Sequence, residues 1–208
     1  MMNRQPPETL QLGSNVIEVL LPFRRPLNMV DKVVAYERAP VPRLRAYRCI
    51  TANEPVFEGH FPGLHLWPGI YTQEGLGQAG AILAMIVGMQ ETWESKGGDP
   101  GEVLEALRNL ERGFTMHPGY RPKDHAKLLE ELGAGRYLGL SASVNLKFLN
   151  PVFAGQRLDY EVVLVKRMDK LLRMEVEAAV ENKTIVQGIM TGSFAPHVTR
   201  PDAWAREA

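Results

Sequence analysis

From residue 137 onward apolar and polar positions alternate with the period of a strand: Leu158, Tyr160, Val162 and Leu164 share one face of a run, and Met174, Val176, Ala178 and Val180 share one face of the next. The pattern predicts strands over 137–148, 156–168, 171–181 and 184–194. The links Asp169-Lys170 and Asn182-Lys183 are short enough for hairpins, so adjacent strands should pair antiparallel. Two more segments rich in β-branched and aromatic residues, 29–37 and 43–51, are separated by Ala39-Pro40-Val41-Pro42, whose prolines cannot donate to a ladder. Between the two groups lies the longest apolar segment, from Gly69 to about Trp93. Gly75, Gly77, Gly80 and Ala81 supply small residues there for close packing. It is predicted as a central helix, apolar nearly all round. The sum is an α+β order: an antiparallel sheet of about six strands, with one long helix to cover its apolar face.

The remaining segments lack this pattern. Residues 1–13, with Pro6 and Pro7, and 197–208, with Pro201, have no periodic apolar spacing and are expected to be loosely held, leaving one domain over 14–196. Asn15 and Glu18 have the form of a capping box ahead of Val16, Val19 and Leu20, and Pro22 stops the run, which predicts a short entry helix. Residues 92–136 interrupt the sheet pattern. Within them Asp99-Pro100-Gly101-Glu102 supplies a cap, a proline at the first helical position and an early acid, followed by Val103, Leu104, Leu107 and Leu110 at helical spacing. A second helix is expected over 123–132, with Gly133 as its C-cap. The segment reads as a helical insertion.

Composition narrows the partners. The chain has 208 residues, 45% hydrophobic, enough for a substantial core in one unit. Lys plus Arg and Asp plus Glu are 24 each, so no global field favours nucleic acid or an anionic membrane. Arg24, Arg25, Lys32, Arg38, Arg43, Arg45 and Arg48 nevertheless outnumber the acids near them and suggest a local basic surface. The apolar run 70–89 is broken by Gln73, Glu74 and Gln78, which argues for a buried helix and against a membrane span. The single cysteine, Cys49, has no internal disulfide partner, and the first residues carry no signal-peptide pattern, so a cytoplasmic location is expected. His65, His117, His125 and His197 lack the close pairing of zinc ligands, so no metal and no cofactor is expected.

The chemistry concentrates in Phe57-Glu58-Gly59-His60-Phe61-Pro62-Gly63, followed by Trp67-Pro68-Gly69, Glu74 and Gln78. This spacing puts an imidazole in a Gly/Pro turn, a glycine at a helix start and a carboxylate inside that helix. Removing water from a 3-hydroxyacyl thioester needs a base for the C2 proton, an acid for the leaving hydroxyl and a donor for the enolate-like oxygen. Histidine serves as a base near neutral pH, and the apolar surroundings of Glu74 favour its protonated form by desolvation. Gly69 offers an amide at the positive end of a helix dipole. Gln78, one turn beyond Glu74, is placed to orient the carboxyl. Trp67, Trp93, Phe148 and Phe153 read first as packing residues, with Trp67 beside Pro68 the exception.

His60-Phe-Pro-Gly, Pro68-Gly69, Glu74 and Gln78 at these intervals resemble the signature of the FabZ/FabA-type 3-hydroxyacyl-[acyl-carrier-protein] dehydratases. The likeness extends to Leu21-Pro22-Phe23-Arg24-Arg25-Pro26 with Met29-Val30-Asp31-Lys32-Val33, and to Phe148-Leu149-Asn150-Pro151-Val152. It implies a hot-dog fold, the sheet wrapped round the helix. It also implies a homodimer, or an assembly of such dimers, with His60 facing Glu74 of the other subunit. By the same resemblance His60 is the base, Glu74 the acid, and Gly69 with Gln78 the carbonyl-binding and supporting pair. Phe61, Trp67 and Phe148 become candidates for the acyl tunnel, and the partner is an acyl carrier protein bearing the substrate. The sequence departs from the family at Phe23, where FabZ-like members commonly carry histidine, and in the long connection 92–136. A hot-dog thioesterase and a non-catalytic acyl-binding or assembly subunit are the alternative readings, and double-bond isomerisation is a further activity found among such relatives.

Overall fold

The computed structural model describes residues 10–116, 123–134, 137–168 and 170–199. Among them, six strands form one sheet in the order β1-β2-β4-β5-β6-β3: β1 (Lys32–Glu37), β2 (Arg43–Cys49), β3 (Tyr137–Phe148), β4 (Arg157–Met168), β5 (Leu171–Val180) and β6 (Lys183–Thr199). Every neighbouring pair is antiparallel. The helix α2 (Gly69–Ser95) lies against the sheet, burying Leu76, Ala79, Ile82, Leu83 and Ile86 with Leu44, Tyr160, Val162 and Val176. The α+β order and its central helix are therefore as the alternation predicts.

Local chemistry explains the ends of these elements. Glu181 and Asn182 have φ of 51° and 65°, so they form the two-residue turn between Val180 and Lys183, one position earlier than the spacing suggests. In the insertion, α3 (Pro100–Met116) is capped by Asp99, whose Oδ1 accepts from the Gly101 amide at 2.8 Å. The helix α4 (Lys123–Glu131) ends at Gly133, φ 88°, where the Ala134 amide donates to the Leu129 carbonyl and the Gly133 amide to that of Glu130.

Three expectations need correction. The entry helix α1 (Ser14–Leu20) is not opened by an Asn15 capping box: its N-cap is Gly13, whose amide donates to Glu111 on α3 at 2.8 Å. A carboxylate 98 residues away supplies the acceptor that a local side chain was expected to give. Residues 10–13 are not loose either, because Leu10 and Leu12 are fully buried and Leu12 exchanges two backbone hydrogen bonds with Val33. At the other end β6 runs to Thr199, since β3 continues to offer it partners as far as Tyr137. Residues 1–9 and 200–208, His117, and the side chains of His125 and His197 lie outside what is described.

The sheet has two unlike edges. The outer side of β1 is bridged by Leu12 at Val33, whereas the twelve-residue β3 pairs, among the described residues, only with β6 and exposes Leu140, Val144 and Phe148 along its length. The insertion packs on the helical side: α3 contacts α1, α2 and α4, and Gln90 of α2 joins them by accepting from the Tyr36 hydroxyl and donating to the Pro100 carbonyl.

Candidate active site

His60 follows a 3-10 turn over Pro55–Glu58, with its amide donating to the Val56 carbonyl at 2.9 Å. Its Nδ1 lies 2.9 Å from the Leu66 carbonyl oxygen. A carbonyl can only accept, so Nδ1 carries the proton and Nε2 keeps a lone pair in the neutral ring. The Phe61 ring stacks on the imidazole at 4.3 Å. The loop is held from outside by Ala154, which donates to the His65 carbonyl, and by Trp67, which donates to that of Val152.

A cleft of about 380 Å³ brings His60 together with Leu66, Trp67, Gly69, Thr72 and Phe148. Gly69 opens α2 behind Pro68, which has no side-chain acceptor, so the N-cap residue offers nothing to the amides of the first turn. The Phe148 ring covers this position: a Cβ on Gly69 would stand 2.9 Å from Phe148 Cε1. Of the three tunnel candidates, Trp67 and Phe148 thus line the cleft. Phe61 lies outside its lining, half-exposed beside the imidazole.

Glu74 is elsewhere. It opens onto a mostly apolar cavity of about 270 Å³ between α2 and the sheet, with Phe23, Gly77, Ala81, Leu140, Met174 and Met190 among the lining residues. Its Oε1 accepts from Gln78 Nε2 at 2.9 Å. Gln78 is buried and grips the segment before β1 by donating to the Leu27 carbonyl at 2.6 Å and accepting from the Met29 amide at 2.8 Å. Close packing fixes the helix here: a Cβ on Gly75 would collide with the Tyr160 hydroxyl, a fully buried group without a hydrogen-bond partner among the described residues. Burial holds that phenol well above the ordinary tyrosine value.

One chain therefore groups His60 with Gly69, and Glu74 with Gln78 and Phe23, in two different cavities. No described residue of the 92–136 insertion lines either cavity. The basic surface suggested by the sequence is largely neutralised. Arg24 pairs with Glu18, Arg38 with Glu94, Arg43 and Arg45 with Glu161, and Arg48 with Asp31 and Glu54, while Arg25 is exposed. Sequence reasoning placed Arg48 in that patch and missed its place beneath the site. What tells Arg48 apart is its reach to the Asn28 carbonyl and the Trp67 ring, contacts that only the fold brings to it.

Comparison with known proteins gives the arrangement its relatives. A family model described as a FabA-like domain matches residues 21–105, the stretch that carries His60, Gly69, Glu74 and Gln78. A Myxococcus xanthus protein named 3-hydroxyacyl-[acyl-carrier-protein] dehydratase FabZ is 31% identical over 189 residues, 91% of this chain and 93% of the relative. A Nitratidesulfovibrio vulgaris protein of the same name is 30% identical over 174 residues, 84% of this chain and 85% of the relative. Among solved structures, the dehydratase heterocomplex ApeI:P from Xenorhabdus doucetiae superposes with a TM-score of 0.54 at 14% identity, covering 93% of this chain and 94% of that one, which supports the fold. With relatives this similar along most of both lengths, and with the hot-dog fold in place, the chain belongs to the FabZ family of the FabA-like proteins.

Proposed function

We propose that this protein removes water from a 3-hydroxyacyl thioester on acyl carrier protein and yields the trans-2-enoyl thioester, in fatty-acid or polyketide-like synthesis. The observation that carries the reading is the cleft in which His60, its Nδ1 held by Leu66, stands beside the uncapped helix start at Gly69. His60 Nε2 takes the C2 proton. The C2–H electron pair moves toward the thioester carbonyl, whose growing negative charge is met by the Gly69 amide and the helix dipole. Glu74, held by Gln78, gives its proton to the 3-hydroxyl, and water leaves as the double bond forms. Return of the proton from His60 to Glu74 through solvent restores both groups.

The acid in this scheme comes from a second subunit, because one chain keeps His60 and Glu74 in separate cavities. The exposed apolar edge of β3, with Phe61, Leu64 and Ile70 around the cleft, is the surface a second copy would cover, whereas the β1 edge is already bridged by Leu12. A homodimer with two shared sites, or an assembly of such dimers, satisfies both features. Arg25, exposed and two residues from Phe23 of the Glu74 cavity, is a cation for an acidic carrier to meet. No described helix is long and apolar enough to cross a membrane, and a cytoplasmic location suits a carrier-bound substrate.

The test is mass spectrometry of 3-hydroxyacyl thioesters of several chain lengths, on carrier protein and on a small thiol. Wild type should remove one water, and His60→Ala and Glu74→Gln should each lower turnover by about 10²–10⁴-fold. Substrates returned intact by wild type at every chain length would replace this reading with the acyl-binding subunit, and release of free thiol would replace it with the thioesterase.

A further inference from the structure

One part-buried arginine links the loop that carries His60 to the segment that Gln78 holds. Arg48 stands near the end of β2 with only 13% of its side chain exposed. Its Nη1 donates to the Asn28 carbonyl at 2.7 Å and to Asp31 Oδ1 at 3.0 Å, and its Nη2 donates to Glu54 Oε1 at 2.6 Å. The guanidinium also lies 5.8 Å from the centroid of the Trp67 ring. Asp31 is held in turn, its other oxygen accepting from the Cys49 amide at 2.7 Å.

These partners belong to both halves of the chemistry. Glu54 is the N-cap of the turn over Pro55–Glu58 that leads into His60, and Trp67 precedes Pro68 and Gly69. Asn28 sits between Leu27 and Met29, the two residues whose backbone Gln78 grips while it orients Glu74. The carbonyl of 27, the carbonyl of 28 and the amide of 29 are thus held alternately by Gln78, Arg48 and Gln78. A planar fork with donors on separate nitrogens spans these three acceptors, which the single nitrogen of a lysine reaches less well.

From this geometry we infer that Arg48 is a positioning residue: within each chain it fixes both the His60 loop and the 27–29 strap behind Glu74, so that the base of one shared site and the acid of the other are set from a single point. The inference rests on the dehydratase reading, and its test separates the two. Arg48→Met, Arg48→Lys and, as a control, Arg38→Met are compared as full-length proteins in steady-state dehydration and in amide hydrogen exchange. Arg38 likewise pairs with a glutamate at 2.6 Å, but that residue, Glu94, lies at the C-terminal end of α2.

In Arg48→Met, kcat should fall about tenfold or more while KM stays within about threefold, because displaced groups lose transition-state contacts before binding contacts. Arg48→Lys should recover part of kcat, and Arg38→Met should match wild type. Exchange should quicken together in the 27–29 strap and in residues 54–60 of Arg48→Met alone. Folded Arg48→Met with unchanged kcat, or with faster exchange in one segment only, overturns the inference. If Arg48→Met does not fold, Glu54→Gln and Asp31→Asn each sever one arm; wild-type kcat in both overturns it. An inert wild type would instead sink the dehydratase reading, and hydrogen exchange would still decide the role of Arg48.

Discussion

The His60 cleft and the Glu74 cavity lie at the start of the same helix and are built in opposite ways. In the first, the working groups are backbone and ring: an amide freed by Pro68 and Gly69, and an imidazole held at one nitrogen by a carbonyl six residues on. In the second, they are side chains, a carboxylate and an amide whose partners come from a strap some fifty residues earlier in the chain. The first depends on space around a glycine and the second on a hydrogen-bond relay. They should therefore fail differently when disturbed.

The largest effect is expected from crowding the first. Gly69→Ala puts a methyl group 2.9 Å from the Phe148 ring, so either the ring or the helix start must shift. A displacement at the amide that meets the oxyanion should lower kcat on the order of 10²-fold. Adding Phe148→Ala should return part of it by making room. If the single variant keeps wild-type kcat, the amide of Gly69 is not where the carbonyl binds.

Cutting the relay in the second cavity should cost less in rate and more in stability. Gln78→Leu keeps most of the volume but leaves the Leu27 carbonyl and the Met29 amide without their partner and Glu74 unoriented. Urea unfolding should show a loss of about 3 kcal/mol, with kcat lower by about tenfold. Unchanged stability would mean the strap is held without Gln78, and the distinction between the two cavities would weaken.

What the sequence made legible follows the same division. The start of α2, the Asp99 cap of α3, the Gly133 stop and the strand alternation are all local, written within a few residues of where they act. Gln78 beside Glu74 is likewise one helical turn, and its spacing alone put the two on one face. The N-cap of α1 was not legible, because its acceptor is Glu111 on another helix. Nor was the neutralisation of the arginines: Glu94 and Glu161 reach Arg38, Arg43 and Arg45 only after the chain has folded back. Arg48 looked like one more cation in a basic run for the same reason. The separation of His60 from Glu74 was stated only as an implication of family likeness, since residues fourteen apart in sequence carry no mark of which side of a helix start each will face.

The shared site is the central claim, and it is tested by mixing two dead proteins. His60→Ala and Glu74→Gln are each expected to be inactive, yet a mixed dimer would hold one site with His60 from one subunit and Glu74 from the other. Co-refolded at equal amounts, half the dimers are mixed and half their sites are intact, so about one quarter of wild-type turnover should return. No recovery in dimers shown by mass to contain both variants would contradict the account and place the whole reaction within a single chain.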